Sequence, residues 1–394
     1  MLEQVLKDGI ERGHLRLERA DGRVRDFGAG TPAGVLQLHD NRAERRVIAD
    51  PDFMLGQTYM DALWSTPDLR GLLAVLMSNF AHEQATGAKW ATQQLLRPLQ
   101  QWNRRAASRR NVAHHYDLDK QLFRRFLDSD MQYSCAYWPA GTADLETAQA
   151  QKRALIRRKL CLSPGQSVLD IGCGWGGLAI ELAEQAGAQV VGLTLSEAQA
   201  RVAWDRVRAR GLEDQVDIRL QDYRDVPERF DRIVSVGMFE HVGVQYYDAY
   251  FAGVRDHLTP EGIALIHTIG RLARPGVTNP WIRRYIFPGG YIPALSEVTA
   301  AVERQRLATT DLEVLRLHYG YTLAEWFRRF QAVRDDVVAE KGERFCRMWE
   351  FYLAVSEAAF YYRGLVVFHL QLTREPAAAP ITRDYLHETA HTGA

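Results

Sequence analysis

The sequence predicts an α/β fold: a parallel sheet covered on both faces by helices, preceded by a smaller mixed α/β unit. Three observations carry that expectation. From about residue 150 onward, apolar runs of strand length alternate with stretches of helical periodicity, the order that βαβ units impose. Residues 14–48 carry short alternating stretches broken by Asp21-Gly22 and a Gly/Pro cluster, and roughly 52–100 carry helical spacing. The length of 394 residues exceeds one typical domain and accommodates both pieces.

In chain order, residues 14–48 form a small β-rich unit and DLRGLLAVLMSNF a helix, with Pro67 just ahead of its start. Between 97 and 125 the chain gathers Arg97, Arg104, Arg105, Arg109, Arg110, Lys120, Arg124 and Arg125, a basic connecting segment. SVLDIGCG then reads as a buried strand, GGLAIELAEQAG as a helix closed by Gly187, and AQVVGLTLS as a second strand. EAQARVAWDRVRARG is a helix; VDIRLQD, FDRIVSVG and GIALIHTIG are strands. Residues 271–310 interrupt the alternation with Gly, Pro and aromatic residues, as an insertion forming a lid or substrate wall would. VLRLHYG, helices around 323–362 and a final strand near GLVVFHLQLTR close the pattern. The expected boundaries are 1–105 for the companion domain, 106–376 for the main domain and 377–394 for a loosely ordered tail.

Hydrophobic residues at 46% and charged residues at 25% are ordinary for a globular protein with a sizeable core, which excludes wholesale disorder. A formal net charge of zero provides no general attraction to nucleic acid. Cys135, Cys161, Cys173 and Cys346 are widely spaced without a CxxC pair, so neither a disulfide framework nor a zinc site is expected, and a reducing cytoplasm fits. His114-His115 lack convergent partners, and no metal is assigned. The segment MLEQVLKDGIERGHL has no apolar signal core, and YLAVSEAAFYYRGLVVFHLQL is interrupted by Glu357 and Arg363, so any membrane contact is expected to be peripheral.

The most informative stretch is Asp170-Ile171-Gly172-Cys173-Gly174-Trp175-Gly176-Gly177, which follows a strand and opens a helix. Glycines there let a ligand approach the backbone, although a tight turn with no ligand would use them too. The pattern also satisfies GxGxxG of dinucleotide sites, which want an acid at the end of the second strand for the ribose. Thr194-Leu195-Ser196 stands there instead, with Glu197 already in the next helix. The D-x-G-x-G form resembles motif one of class I methyltransferases and so implies S-adenosylmethionine. Asp222 and Tyr223, just beyond the third strand, are placed to hold an adenine, by accepting from its amino group and by offering a ring face.

Further motifs narrow the resemblance. HHYDLDKQLFRRFLDSDMQYSCAYW (114–138), GLTLSEAQ (192–199), QDYRD (221–225), DRIVSVGMFEHVG (231–243), IHTIG (266–270), YIFPGGYIP (285–293) and HYGYTL (318–323) resemble, in order, the motifs of cyclopropane-fatty-acyl-phospholipid synthases. The resemblance implies a class I methyltransferase Rossmann-like sheet with a helical insertion, and an N-terminal lipid-binding or dimerisation domain through which two copies pair. It implies that an alkene of a phospholipid acyl chain attacks the sulfonium methyl, and that a bound bicarbonate takes the proton lost as the ring closes. Bicarbonate ligands would be Cys135, Glu240, His267, the backbone of Ile269, and Tyr319. Tyr133, Ser134, Gly172, Gly174, Thr194 and Gln199 would reach S-adenosylmethionine, alongside Asp170. Donors suit an anion that acts as a base, and rings of the Tyr133, Tyr137, Trp138, Phe239 and Tyr319 type suit a developing carbocation.

Asp119-Lys120 stands where the family has Gly-Asn, and IPALSEV where it has LPSLSEV, which bears on loop shape and lipid contacts. The basic 97–125 segment and FPGG could meet anionic headgroups at a bilayer surface, or the arginines could simply face water. Two other activities fit the same residues: methylation of the alkene without ring closure, and methylation of a small amine, as in similar plant N-methyltransferases.

Overall fold

The computed structural model describes residues 1–80 and 120–387, Lys120 by its backbone alone. The expected boundary at 105/106, the arginines from Arg97 to Arg110, His114-His115 and Asp119 lie outside the described residues. The chain divides into two compact units that interleave along the sequence. The first comprises Met1–Arg97, Gly276–Pro288 and Tyr319–Leu365; the second comprises Pro98–Pro275, Gly289–His318 and Val366–Ala394.

In the first unit, β1 (Gly13–Glu18), β2 (Val24–Ala29), β3 (Ala33–Leu38) and β4 (Trp64–Ser65) form a sheet in the order β2-β1-β3-β4. Alternation sets its faces: Leu15, Leu17, Leu36 and Leu38 point into the core. The end of the expected β-rich stretch is instead a helix, Asn41–Ala49. Asp40 caps it by accepting the Arg42 N–H at 2.7 Å, which turns the chain out of the extended state. Helix Leu69–Phe80 forms as expected. Arg70 forks onto Glu357 of helix Glu343–Tyr362 at 2.6 Å through both Nε and Nη2. Part of the expected insertion belongs here, since Trp281 of helix Pro280–Tyr285 packs on Gly56 so closely that a Cβ would lie 2.6 Å from the indole nitrogen.

The second unit holds β5 (Ser167–Ile171), β6 (Gln189–Thr194), β7 (Val216–Leu220), β8 (Phe230–Val236), β9 (Leu258–Arg271), β10 (Ala308–Leu315) and β11 (Leu365–Thr373). Their order is β10-β11-β9-β8-β5-β6-β7. The β9-β8-β5-β6-β7 part is parallel. β11, however, runs antiparallel to β10, so the sheet is mixed rather than wholly parallel. β11 is buried along nearly its whole length, and an antiparallel strand covered on both faces carries the same continuous apolar run as a parallel one.

Both faces are covered. Leu169, Phe230, Ile233, Tyr250, Phe251 and Ile266 belong to one apolar cluster, and Val168, Leu182, Val190, Ile218, Val234 and Leu265 to the other. Neighbours such as Val168 and Leu169 therefore serve opposite layers, as the period of two requires. Each such side chain contributes about 1.5–3 kcal/mol by leaving water.

Helix Leu145–Lys159 is capped by Asp144, which accepts the Thr147 N–H at 2.8 Å. Its last residue, Lys159, is fully buried and pairs with Asp311 at 3.1 Å and Glu313 at 2.7 Å on β10. Arg383 Nε also donates to Asp311, at 2.8 Å, and Gln371 bonds the Tyr385 hydroxyl at 3.3 Å. The segment expected to be loose is thus tied down as far as Tyr385 because a buried carboxylate demands cations; residues 388–394 lie outside the described residues. No helix among the described residues is long and apolar enough to cross a membrane.

Candidate active site

Strand order reverses at β5, which has β6 on one side and β8 on the other, and the ends of adjacent strands open a crevice at such a point. The glycine turn lies there. Gly172 and Gly176 adopt φ of +87° and +81°, where a side chain is strained, and a Cβ on Gly176 would sit 2.9 Å from Ala203 Cβ. The N–H groups of Gly172 and Cys173 both bond Leu193 O, at 3.0 and 2.8 Å, which folds the turn over the end of β6.

One pocket fills this crevice, and Tyr133, Ser134, Asp170, Gly172, Gly174, Thr194, Gln199, Asp222 and Tyr223 all line it. Thr194 Oγ1 bonds Gln199 Oε1 at 2.8 Å. Asp170 is buried, and its Oδ2 has no hydrogen-bond partner. Burial pushes this carboxyl up to about 7, against the opposing pull of Lys152. Asp222 is gripped by Arg224 through Nε at 2.8 Å and Nη2 at 2.6 Å, so a guanidinium bonds its oxygens. That arginine also lies over the Tyr223 ring, 5.6 Å from its centroid.

The pocket wall formed by residues 132–134 is held from behind. Lys152 Nζ donates to Gln132 Oε1 at 2.6 Å and to Ser134 Oγ at 2.9 Å, and Gln149 donates to Ser134 O at 3.0 Å. Burial, then the neighbouring Arg153, lowers the Lys152 ammonium to about 8. Sequence reasoning missed Lys152, yet a signal exists. Leu145, Ala148, Lys152, Leu155, Ile156 and Lys159 recur at helical spacing, so both lysines occupy positions reserved for the apolar face. His241, another pocket residue not singled out, is driven down to about 4 by burial.

The expected bicarbonate ligands are gathered unevenly. Glu240 sits on a 3-10 turn, Phe239–His241, after β8, while His267 and Ile269 lie two residues apart on β9 and so share a face. Glu240 Oε1 accepts the Ile269 N–H at 2.7 Å, and Glu240 Oε2 is buried without a hydrogen-bond partner. The amide expected to meet a bound anion is therefore engaged by a carboxylate, because a desolvated acid takes the nearest donor. Burial pushes Glu240 up to about 7, with the Ile269 N–H pulling the other way. His267 Nδ1 meets His369 Nε2 of β11 at 2.7 Å. Cys135 is buried, its Sγ 3.2 Å from Ala136 O. Tyr319 belongs to the first unit, where its ring packs on Trp326 and Phe360.

Of the expected aromatic lining, Phe239 is in the core instead. Its ring is 4.3 Å from Tyr247 and 5.0 Å from Tyr250, since the short turn that directs Glu240 one way sends its neighbour into the sheet's apolar layer. Tyr137 stacks on His318 at 5.0 Å, and Trp138 N–H donates to His318 Nδ1 at 2.8 Å.

A seven-stranded sheet of this order, with an Asp-x-Gly-x-Gly turn opening a pocket at its switch point, defines an S-adenosylmethionine-dependent methyltransferase of class I. Residues 103–370 match the mycolic acid cyclopropane synthetase family, and the chain belongs to that family. It is 40% identical over 337 residues to the cyclopropane-fatty-acyl-phospholipid synthase of Escherichia coli K12, covering 84% of this chain and 85% of that one. It is 38% identical over 386 residues to tuberculostearic acid methyltransferase UfaA1 of Mycobacterium tuberculosis, covering 92% and 88%. Among solved structures, mycolic acid cyclopropane synthase CmaA1 complexed with SAH and CTAB superposes with a TM-score of 0.64 at 33% identity, covering 67% of this chain and 97% of that one. S-adenosylmethionine is accordingly the co-substrate.

Proposed function

We propose that this protein is a cyclopropane-fatty-acyl-phospholipid synthase, transferring a methylene to the cis double bond of an unsaturated acyl chain. The alkene π pair bonds the sulfonium methyl as its C–S bond breaks and S-adenosylhomocysteine leaves. The resulting cation loses a proton from the transferred methyl, and the ring closes. The observation that carries this reading is Glu240, a buried carboxyl between the pocket-lining Met238 and His241, fixed through one oxygen by Ile269, while no hydrogen bond of ordinary length reaches the other and the nearby Thr268 hydroxyl favours its ionised form. A methyltransferase acting on an exposed amine has no need of such a group.

The donor set fits bicarbonate. A Glu240 oxygen with no hydrogen bond of ordinary length suits a hydroxyl, and His267 with Cys135 would supply donors. Bicarbonate held there would provide the base for the departing proton. Glu240 would orient it and would have to be ionised to do so, Cys135 and His267 would donate, and Asp170 would face the positive charges of the methyl donor. The pocket's aromatic and apolar walls keep water from the cation.

The likeness to UfaA1 favours a second outcome, methylation of the chain without ring closure. Incubation with vesicles of unsaturated phospholipid and S-adenosylmethionine, followed by mass spectrometry of the acyl chains, separates the two. Gain of one CH₂ with the double bond lost establishes the ring; gain with the alkene retained establishes methylation; no lipid product refutes both. Glu240→Gln keeps an acceptor for Ile269 but turns the free oxygen into a donor. The expected effect on kcat is a loss of about 10²- to 10⁴-fold with S-adenosylmethionine binding retained.

A further inference from the structure

We infer that His369 is a positioning residue that locks His267 in the tautomer carrying its proton on Nε2. The inference rests on the proposed role of His267 as a donor to the bound base. His267 on β9 and His369 on β11 occupy neighbouring strands of the sheet. Their nitrogens lie 2.7 Å apart, with ring centroids at 4.7 Å and an interplanar angle of 48°. Both rings are buried, and no other hydrogen bond reaches either side chain among the described residues.

The contact at 2.7 Å needs one proton between two nitrogens, and burial lowers both imidazoles, His267 to about 3 and His369 well below its usual value. Each ring therefore carries a single N–H, and only two arrangements are possible. If His267 donates from Nδ1, the proton of His369 must sit on its own Nδ1, which is buried with no hydrogen-bond partner. An N–H would then be stranded, the rarest kind of unsatisfied buried group. If His369 donates from Nε2, only a lone pair is left at that position. Electrostatics keeps the His369 ring neutral. His369 stands directly across from Glu313 in the β10–β11 register, and Glu313 holds the Lys159 ammonium at 2.7 Å, whose positive potential reaches the His369 ring. That potential disfavours a further proton on the ring.

His267 is left with a lone pair on Nδ1, filled by His369, and an N–H on Nε2. The open edge of the ring is a fixed donor, the polarity an anion requires, and no tautomer exchange precedes binding. His369 acts only through His267.

The test is the tautomer itself, read by two-bond ¹⁵N–¹H correlation on histidine-labelled protein, with the His267 signals assigned by their loss in His267→Ala among the 12 histidines. The inference expects a protonated Nε2 and a bare Nδ1 at His267 in the native protein at neutral pH; the reverse overturns it. His369→Leu is expected to release His267 into a mixture of tautomers and lower kcat about ten- to a hundredfold with the KM for S-adenosylmethionine unchanged. His369→Gln, whose amide can donate to Nδ1, is expected to restore both the tautomer and most of the rate. A His369→Leu protein that retains the native tautomer overturns the inference. The parent reading fails separately: if His267→Ala turns over normally while the native tautomer is as expected, His267 is not a donor to the base and only the locking by His369 stands.

Discussion

Lys152 and Lys159 stand seven residues apart on the same face of one helix, and both are buried, yet they meet opposite kinds of neighbour. Lys159 is enclosed by the carboxylates of Asp311 and Glu313. Lys152 touches the neutral oxygens of Gln132 and Ser134, and its proton is loosened to about 8. The difference separates structure from function along a single helix. A lysine matched by acids tethers β10 and the chain near Arg383. A lysine left without direct carboxylate partners keeps a positive charge behind the methyl-donor pocket, where it fixes the pocket wall and opposes the protonation of Asp170. Maintaining that charge against burial costs stability.

Substitution breaks the comparison most sharply at Lys159. Lys159→Met strands two carboxylates, of which Asp311 keeps only Arg383, and is expected to cost about 3–5 kcal/mol in urea unfolding. A loss under about 1 kcal/mol would mean the pair is not structural. Lys152→Met removes a poorly compensated charge, so stability is expected to change by less than about 1 kcal/mol. The dissociation constant for S-adenosylmethionine is expected to rise about tenfold, the size of one charge-assisted hydrogen bond. Equal stability losses in the two variants, with unchanged cofactor affinity, would erase the distinction.

Much of the cofactor side of the site was legible because it is local. Strand, glycine turn and helix from Ser167 to Ala186 follow from patterning and from residues that tolerate positive φ, and Thr194 ends the next strand while Gln199 sits in the first turn of the helix after it. The side proposed to handle the proton was less legible because it depends on which strands are neighbours. Nothing in FHLQL indicates that His369 meets His267, since that contact needs β11 inserted between β9 and β10, antiparallel to the latter. Phe239 and Glu240 are adjacent in sequence, yet Phe239 joins the apolar core while Glu240 turns to the Ile269 amide of β9, a division set by one 3-10 turn. Lys152 went unnoticed because a lysine in LETAQAQKRALIRRK reads as solvated until its phase is compared with the apolar positions.

The smallest expected effect concerns a fraction of one proton. Asp170 has its carboxyl raised to about 7 because burial outweighs the pull of Lys152. A raised carboxyl pKa means that its contribution to stability is present below the ordinary carboxylate pKa and is lost as pH rises through about 7. S-adenosylmethionine brings a sulfonium and an ammonium, which favour the ionised form and lower that pKa. Binding near pH 6.5 is therefore expected to release part of a proton, and binding near pH 9 none, read by calorimetry in buffers of different ionisation enthalpy. The two lysines sharpen this result. Lys152→Met takes away the charge that opposes burial, so Asp170 rises further and proton release shifts to higher pH, while Lys159→Met leaves the profile where it was. Were Lys152→Met to release protons over the native pH range, its charge would not act on Asp170, and the lysine would be reduced to holding Gln132 and Ser134 in place.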